Sequence, residues 1–183
     1  RSRHGFAASA SGPEMTHDTP PQPLYLGAAG FSQQAPRAPL TQLPPLSLYI
    51  HIPWCVRKCP YCDFNSHTAS PELPEEAYVD ALLADLDQDL HAAYGRELSS
   101  IFFGGGTPSL FSAAALGRLL KGVEARIAFA ADIEITLEAN PGTFEQEKFV
   151  AYRALGINRL SIGIQSFQPE KLKALGRIHN GDE

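Results

Sequence analysis

From Leu46 onward the chain repeats one grammar four times: a short apolar run, a loop rich in Gly, Pro or Asn, then a stretch with helical apolar spacing. Strands separated by helices need crossover connections, which are right-handed in nearly all cases, so the alternation predicts a parallel sheet and an α/β fold. The first unit is Leu46–Ile52, a loop that holds every cysteine, and a helix over about 74–94 in which Leu82, Leu86 and Leu90 share a face. Pro74 suits the first helical position, and Glu75 and Glu76 complement the positive helix start. The second unit is a strand over 100–103, a loop reading GGGTPSLF, and a helix with Ser112 as N-cap and Leu116, Leu119, Leu120, Val123 and Ile127 on its apolar face. The third is a strand over 133–137, a loop reading EANPGT, and a helix with Thr143 and Gln146 spaced as a capping box and Gly156 at its close. The fourth is a strand over 159–164, a turn reading QSFQP, and a short helix over 169–175 ended by Gly176.

In parallel sheets ligands sit beyond the carboxyl ends of the strands. Every unusual loop of this chain falls there: the cysteines after the first strand, the glycines after the second, Glu138 and Asn140 after the third, and Gln165 after the fourth. Four loops therefore meet on one rim.

Composition narrows the possibilities further. With 183 residues, 44% of them hydrophobic and 19% charged, the chain can build a core and is not a wholly disordered protein. A net charge of −5, from 15 basic and 20 acidic residues without a Lys/Arg block, argues against nucleic acid as a partner. No run approaches the roughly 18 to 20 apolar residues of a membrane span. Residues 1–45 hold eight of the fifteen prolines and no apolar period, and are expected to be a disordered Pro/Ala-rich tail. Residues 1–14 precede the only methionine, Met15, and are set aside as leader or upstream sequence. Three cysteines crowded into 55–62 cannot complete a disulfide framework; such crowding favours a metal or redox site in a reducing compartment, so a cytoplasmic location is expected.

The cysteine pattern is CVRKCPYC, with ligand candidates Cys55, Cys59 and Cys62. Three sulfur donors on so tight a loop can grip a compact soft metal centre, and Arg57 and Lys58 would offset its negative charge. A structural zinc, completed by His51 or His67, and a bare reactive thiol are the rival readings. A glycine-rich loop and polar residues on the same rim favour an iron-sulfur cluster with one iron open to a second ligand.

The segments LYIHIPWCVRKCPYCDFNSH, IFFGGGTPSLF, LEANPGT and RLSIGIQSF, in this order, resemble the radical S-adenosylmethionine (radical SAM) superfamily. Within it they are similar to the oxygen-independent coproporphyrinogen III oxidase group, and most to its HemW-like branch of haem chaperones. The resemblance implies a [4Fe-4S] cluster on Cys55, Cys59 and Cys62, with S-adenosylmethionine (SAM) on the fourth iron. It also implies SAM contacts at Tyr49, Tyr61, Gly105, Gly106, Thr107, Glu138, Gln165 and Arg177. Ile52, Trp54 and Phe64 are expected to shield the cluster, and His51, which shares a strand face with Tyr49, is left out of the ligand set.

The porphyrinogen-oxidising enzymes carry a further cysteine two residues after the third ligand, where this chain has Phe64. That departure favours the haem-chaperone branch, with haem or porphyrin as cargo, haem-acceptor proteins as partners and an external electron donor. The enzyme, oxygen-independent coproporphyrinogen III oxidase, is the alternative, and a zinc-stabilised non-catalytic module is the second. The superfamily core is an open (β/α)6 barrel, whereas four β/α units are present, so residues 46–183 are expected to be a truncated N-terminal part of that domain that performs poorly in isolation.

Overall fold

A computed structural model describes residues 42–141 and 146–177. Residues 1–41 of the expected tail, and Thr143 of the expected capping box, lie outside the described residues. In chain order the elements are β1 (Leu46–Ile52), β2 (Trp54–Cys55), β3 (His67–Thr68), α1 (Glu75–Ala93), β4 (Leu98–Gly105), α2 (Ala113–Glu124), β5 (Phe129–Ala139), α3 (Gln146–Ala154), β6 (Arg159–Ile162) and α4 (Pro169–Ala174). Four of the strands form one sheet in the order β1-β4-β5-β6, with every neighbouring pair parallel. This is the expected α/β arrangement of four parallel units.

The sheet faces helices because its strands carry apolar side chains at the positions that look inward. Ile50, Ile52, Ile101, Phe103, Ile135 and Leu137 are buried and pack with Leu116, Leu119, Leu120 and Val123 of α2 and Val79 of α1. Phe103 and Leu137 are fully buried, a placement worth about 1.5–3 kcal/mol for each such side chain. The α1 face carrying Leu82, Leu86 and Leu90 packs half-buried against the same cluster.

The helix starts are tied to each other. The Glu75 carboxylate accepts the Ser112 backbone N–H at 2.7 Å and the Ser112 hydroxyl at 2.5 Å, while Ser112 Oγ accepts the Ala115 N–H at 3.1 Å. Ser112 is thus the expected N-cap of α2, and Glu75 serves the start of α2 as well as that of α1. Farther along, Arg118 meets Glu76 and Asp80, and Arg126 meets Asp87 at 2.6 Å.

Several boundaries differ from expectation. Helix α1 starts at Glu75 because Pro74, with ψ of 54°, is its N-cap rather than its first residue. Strand β4 runs on through Gly104 and Gly105, which pair with His51 and Ile52; glycine has no side chain to obstruct that parallel register. Strand β5 starts at Phe129, beyond a register shift against β4 that the polar Asp132 hides from an apolar-run reading. Strand β6 ends at Ile162, two residues early, where the Ile164 N–H turns back onto the Ile162 carbonyl at 3.1 Å. The short parallel pair β2–β3 was not anticipated. Helix α4 opens on Pro169 and closes at Gly176, where φ is +69°, as expected.

Candidate functional site

The cysteine loop is shaped by bonds at both ends. Strand β1 runs into Pro53, and the pairs Trp54↔His67 and Cys55↔Thr68 bring the two ends of the loop side by side. The Lys58 ammonium donates to the carbonyls of Phe64 (3.3 Å) and Ser66 (3.0 Å), and a Cys62 N–H to Cys59 carbonyl bond of 3.0 Å folds the interior. His51 fastens the far side. Its Nε2 meets the Asn65 carbonyl at 2.7 Å, which can only accept, so Nε2 carries the proton and the neutral ring's Nδ1 accepts the Tyr49 hydroxyl at 2.9 Å. All three cysteines are free and half-buried.

The other walls come from the carboxyl ends of β4, β5 and β6, as the parallel topology requires. Gly105 has a φ of +117°, and a Cβ there would lie 2.6 Å from His51 Cε1; at Gly106 a Cβ would lie 2.6 Å from the Trp54 carbonyl oxygen. These glycines let the β4 backbone lie against the base of the cysteine loop. Gly105 N–H donates to Glu138 Oε2 at 3.2 Å, which fixes one carboxylate oxygen at the rim. Arg177 reaches back from the end of α4, donating through Nη2 to Asn140 Oδ1 and the Gly163 carbonyl, both at 2.7 Å, and through Nη1 to Cys59 Sγ at 3.5 Å.

Together these walls enclose a cavity of about 270 Å³. Cys55, Cys59, Cys62, Tyr61, Gly105, Gly106, Glu138, Gln165 and Arg177 all line it. Two expected site residues stand apart. Thr107 is buried behind the lining, where its hydroxyl oxygen accepts Asn140 Nδ2 at 2.9 Å. Tyr49 lies outside the lining with its hydroxyl on His51; partial desolvation and then the Glu138 carboxylate push its phenol above the usual range. The Tyr61 phenol is also raised, by desolvation first and then by Cys59, with Arg177 acting in the opposite sense.

Of the expected shield, only Phe64 lines the cavity. Ile52 is buried in the core, and Trp54 packs edge-on to Tyr78 at 4.7 Å and against Phe111 at 5.8 Å, because β1 and β2 turn those side chains toward α1. Asn140, expected on the rim beside Glu138 but given no cofactor contact, lines the cavity, as do Ser161 and Gly163, for which the sequence raised no expectation. The signal available for Asn140 was its place directly after a strand, at the edge where ligands bind.

Chemically, the cavity sets three sulfur donors opposite a carboxylate, a guanidinium and backbone groups. Among the described residues no three His, Cys, Asp or Glu side chains, the cysteines included, are grouped as a single-ion site. The lining does fit a larger soft centre. Its thiols are free, Gly105 and Gly106 line it with backbone, and Arg177 Nε is buried without a hydrogen-bond partner among the described residues. Among the described residues no helix is long and apolar enough to cross a membrane.

Residues 49–183 match the family model described as the radical SAM superfamily. The chain is 62% identical over 144 residues to the heme chaperone HemW of Escherichia coli strain K12, covering 79% of this chain and 38% of that protein. It is 58% identical over 148 residues to the heme chaperone HemW of Haemophilus influenzae, covering 79% of this chain and 39% of the relative. The chain thus spans under two fifths of the length of these relatives. Among solved structures, coproporphyrinogen III oxidase (HemN) from Escherichia coli, described as a radical SAM enzyme, superposes with a TM-score of 0.69 at 35% identity, over 74% of this chain and 31% of that one. The four parallel units are therefore part of the radical SAM barrel, and the chain belongs to the radical SAM superfamily.

Proposed function

We propose that this chain is the cluster- and SAM-binding portion of a HemW-like haem chaperone. The observation that carries the reading is the convergence of three free cysteines, on a loop closed by β2 and β3, with the carboxyl ends of β4, β5 and β6 around one cavity. In this reading Cys55, Cys59 and Cys62 would hold a [4Fe-4S] cluster, with SAM bound beside it in the same cavity. Cluster and SAM, when bound, supply one-electron chemistry at a sulfonium centre.

The chain's own residues then have separable tasks. Glu138, its Oε2 fixed by Gly105 N–H, presents negative charge to the cationic cofactor, and Gly105 and Gly106 line the same cavity with backbone groups. Tyr61, Gln165 and Arg177 complete the polar wall, Arg177 being suited to a carboxylate. Thr107 supports that wall from behind through Asn140, and Tyr49 supports it through His51 and its proximity to Glu138. Phe64 narrows access of water to the cluster side. A reducing cytoplasmic setting keeps the thiols available.

Haem as cargo, haem-acceptor proteins and an electron donor are proposed from the HemW relatives. The enzyme reading, oxygen-independent coproporphyrinogen III oxidase, is favoured by the structural likeness to HemN and disfavoured by Phe64 in place of a further cysteine. In the full-length protein, haem uptake without porphyrinogen turnover is expected; decarboxylation of coproporphyrinogen would reverse the choice. For the cluster itself, anaerobic reconstitution with iron and sulfide should give a cluster absorbance band that Cys59→Ser abolishes. An unchanged band in that variant would defeat the ligand assignment.

A further inference from the structure

Arg177 is held in an unusual way. Its Nη2 makes two bonds of 2.7 Å, to Asn140 Oδ1 and the Gly163 carbonyl, and its Nη1 points at Cys59 Sγ from 3.5 Å. Its Nε is buried and has no hydrogen-bond partner among the described residues. Without Asn140, Nη2 would keep the Gly163 carbonyl as its acceptor, and the guanidinium would still stand beside Cys59 Sγ and the Tyr61 phenol.

Asn140 is itself fixed. Arg177 can only donate, so the amide atom facing it is the oxygen, and the amide nitrogen faces Thr107 Oγ1 at 2.9 Å. Thr107 is 1% exposed, and its backbone N–H donates to the Trp54 carbonyl at 2.7 Å. A polar path thus runs from Trp54, beside the first cysteine, through Thr107, Asn140 and Arg177 to the sulfur of the second. The path joins residues from β2, the β4 loop, the β5 edge and the end of α4, and it closes on the cysteine loop.

We propose that Asn140 is a positioning residue that acts through Arg177, holding a guanidinium N–H on the Cys59 sulfur and so raising the reduction potential of the bound cluster. The inference rests on the cluster binding proposed above. A hydrogen bond and a positive charge at a cluster sulfur both stabilise the reduced, more negative state. Asn140 touches neither cluster nor sulfur in this scheme; its effect is to hold the guanidinium within the cavity wall at the Cys59 side.

The test is a double-mutant cycle on the midpoint potential of the cluster-loaded protein, followed anaerobically by electron paramagnetic resonance without SAM. Arg177→Leu and Asn140→Leu should each shift the potential to a more negative value, and the double variant should go no lower than Arg177→Leu alone. An unshifted Asn140→Leu, or additive shifts in the double variant, would overturn the proposal. Loss of the cluster from Asn140→Leu but not from Arg177→Leu would also overturn it, since Asn140 would then act on the fold. Should both leucine variants lose the cluster, Thr107→Val and Thr107→Ser decide: valine should lower the potential and serine should not, and equal potentials count against the path. Absence of a cluster in the unaltered protein would instead defeat the functional reading beneath it.

Discussion

Gly105 shows how a single residue constrains the site. Its φ of +117° is costly for any L side chain, and its missing Cβ leaves room for the His51 ring, which bonds the Asn65 carbonyl. Gly105→Ala is therefore expected to cost about 1–3 kcal/mol in a urea titration and to lower cluster yield by moving His51. Tyr152 makes a different case. Its hydroxyl faces the carbonyls of Ser109 and Phe111 at 2.9 and 2.7 Å, and burial, then Glu75, pushes its phenol up to about 12. Because the folded value lies above the ordinary value of 10.0, this contribution to stability is complete below that pH and disappears as pH rises through about 12. Tyr152→Phe should cost about 1 kcal/mol at neutral pH and flatten the alkaline loss seen in denaturation curves. At this scale the sequence displayed residue types well and partners poorly. The cysteines, Glu138 and Gln165 announced themselves through strand-end placement, whereas the Asn140 bridge depends on Thr107 and Arg177, 33 and 37 residues away.

Elements were legible where a period ran long enough to be seen. The leucines of α1 and the apolar face of α2 specified their helices, and β1 was delimited by its apolar run. Strands β2 and β3 have two residues each, too few for alternation, and form only because the loop brings them together. That pairing turned Trp54 into the core and away from the cysteines, contrary to the expected shield. The link between the starts of α1 and α2 was likewise invisible, since Glu75 read as a helix-start acid while its carboxylate holds Ser112. Removing that hydroxyl takes away the cap and one Glu75 bond together. Ser112→Ala should destabilise by about 1–2 kcal/mol by chemical denaturation, with a smaller loss when Glu75 is already alanine.

At the scale of the molecule, the parallel order β1-β4-β5-β6 gathers four loops on one rim, and this followed from the β/α alternation alone. The cavity that results sets the cysteine loop of the first unit opposite Glu138 of the third and Gln165 and Arg177 of the fourth. The central claim is that Cys55, Cys59 and Cys62 hold a cubane with one iron left for SAM. Mössbauer spectroscopy of protein reconstituted with iron-57 under anaerobic conditions tests it most directly. The account predicts a [4Fe-4S] spectrum in which SAM alters one iron site and leaves the others unchanged. A spectrum without a cubane, or one in which no iron responds to SAM, would contradict it.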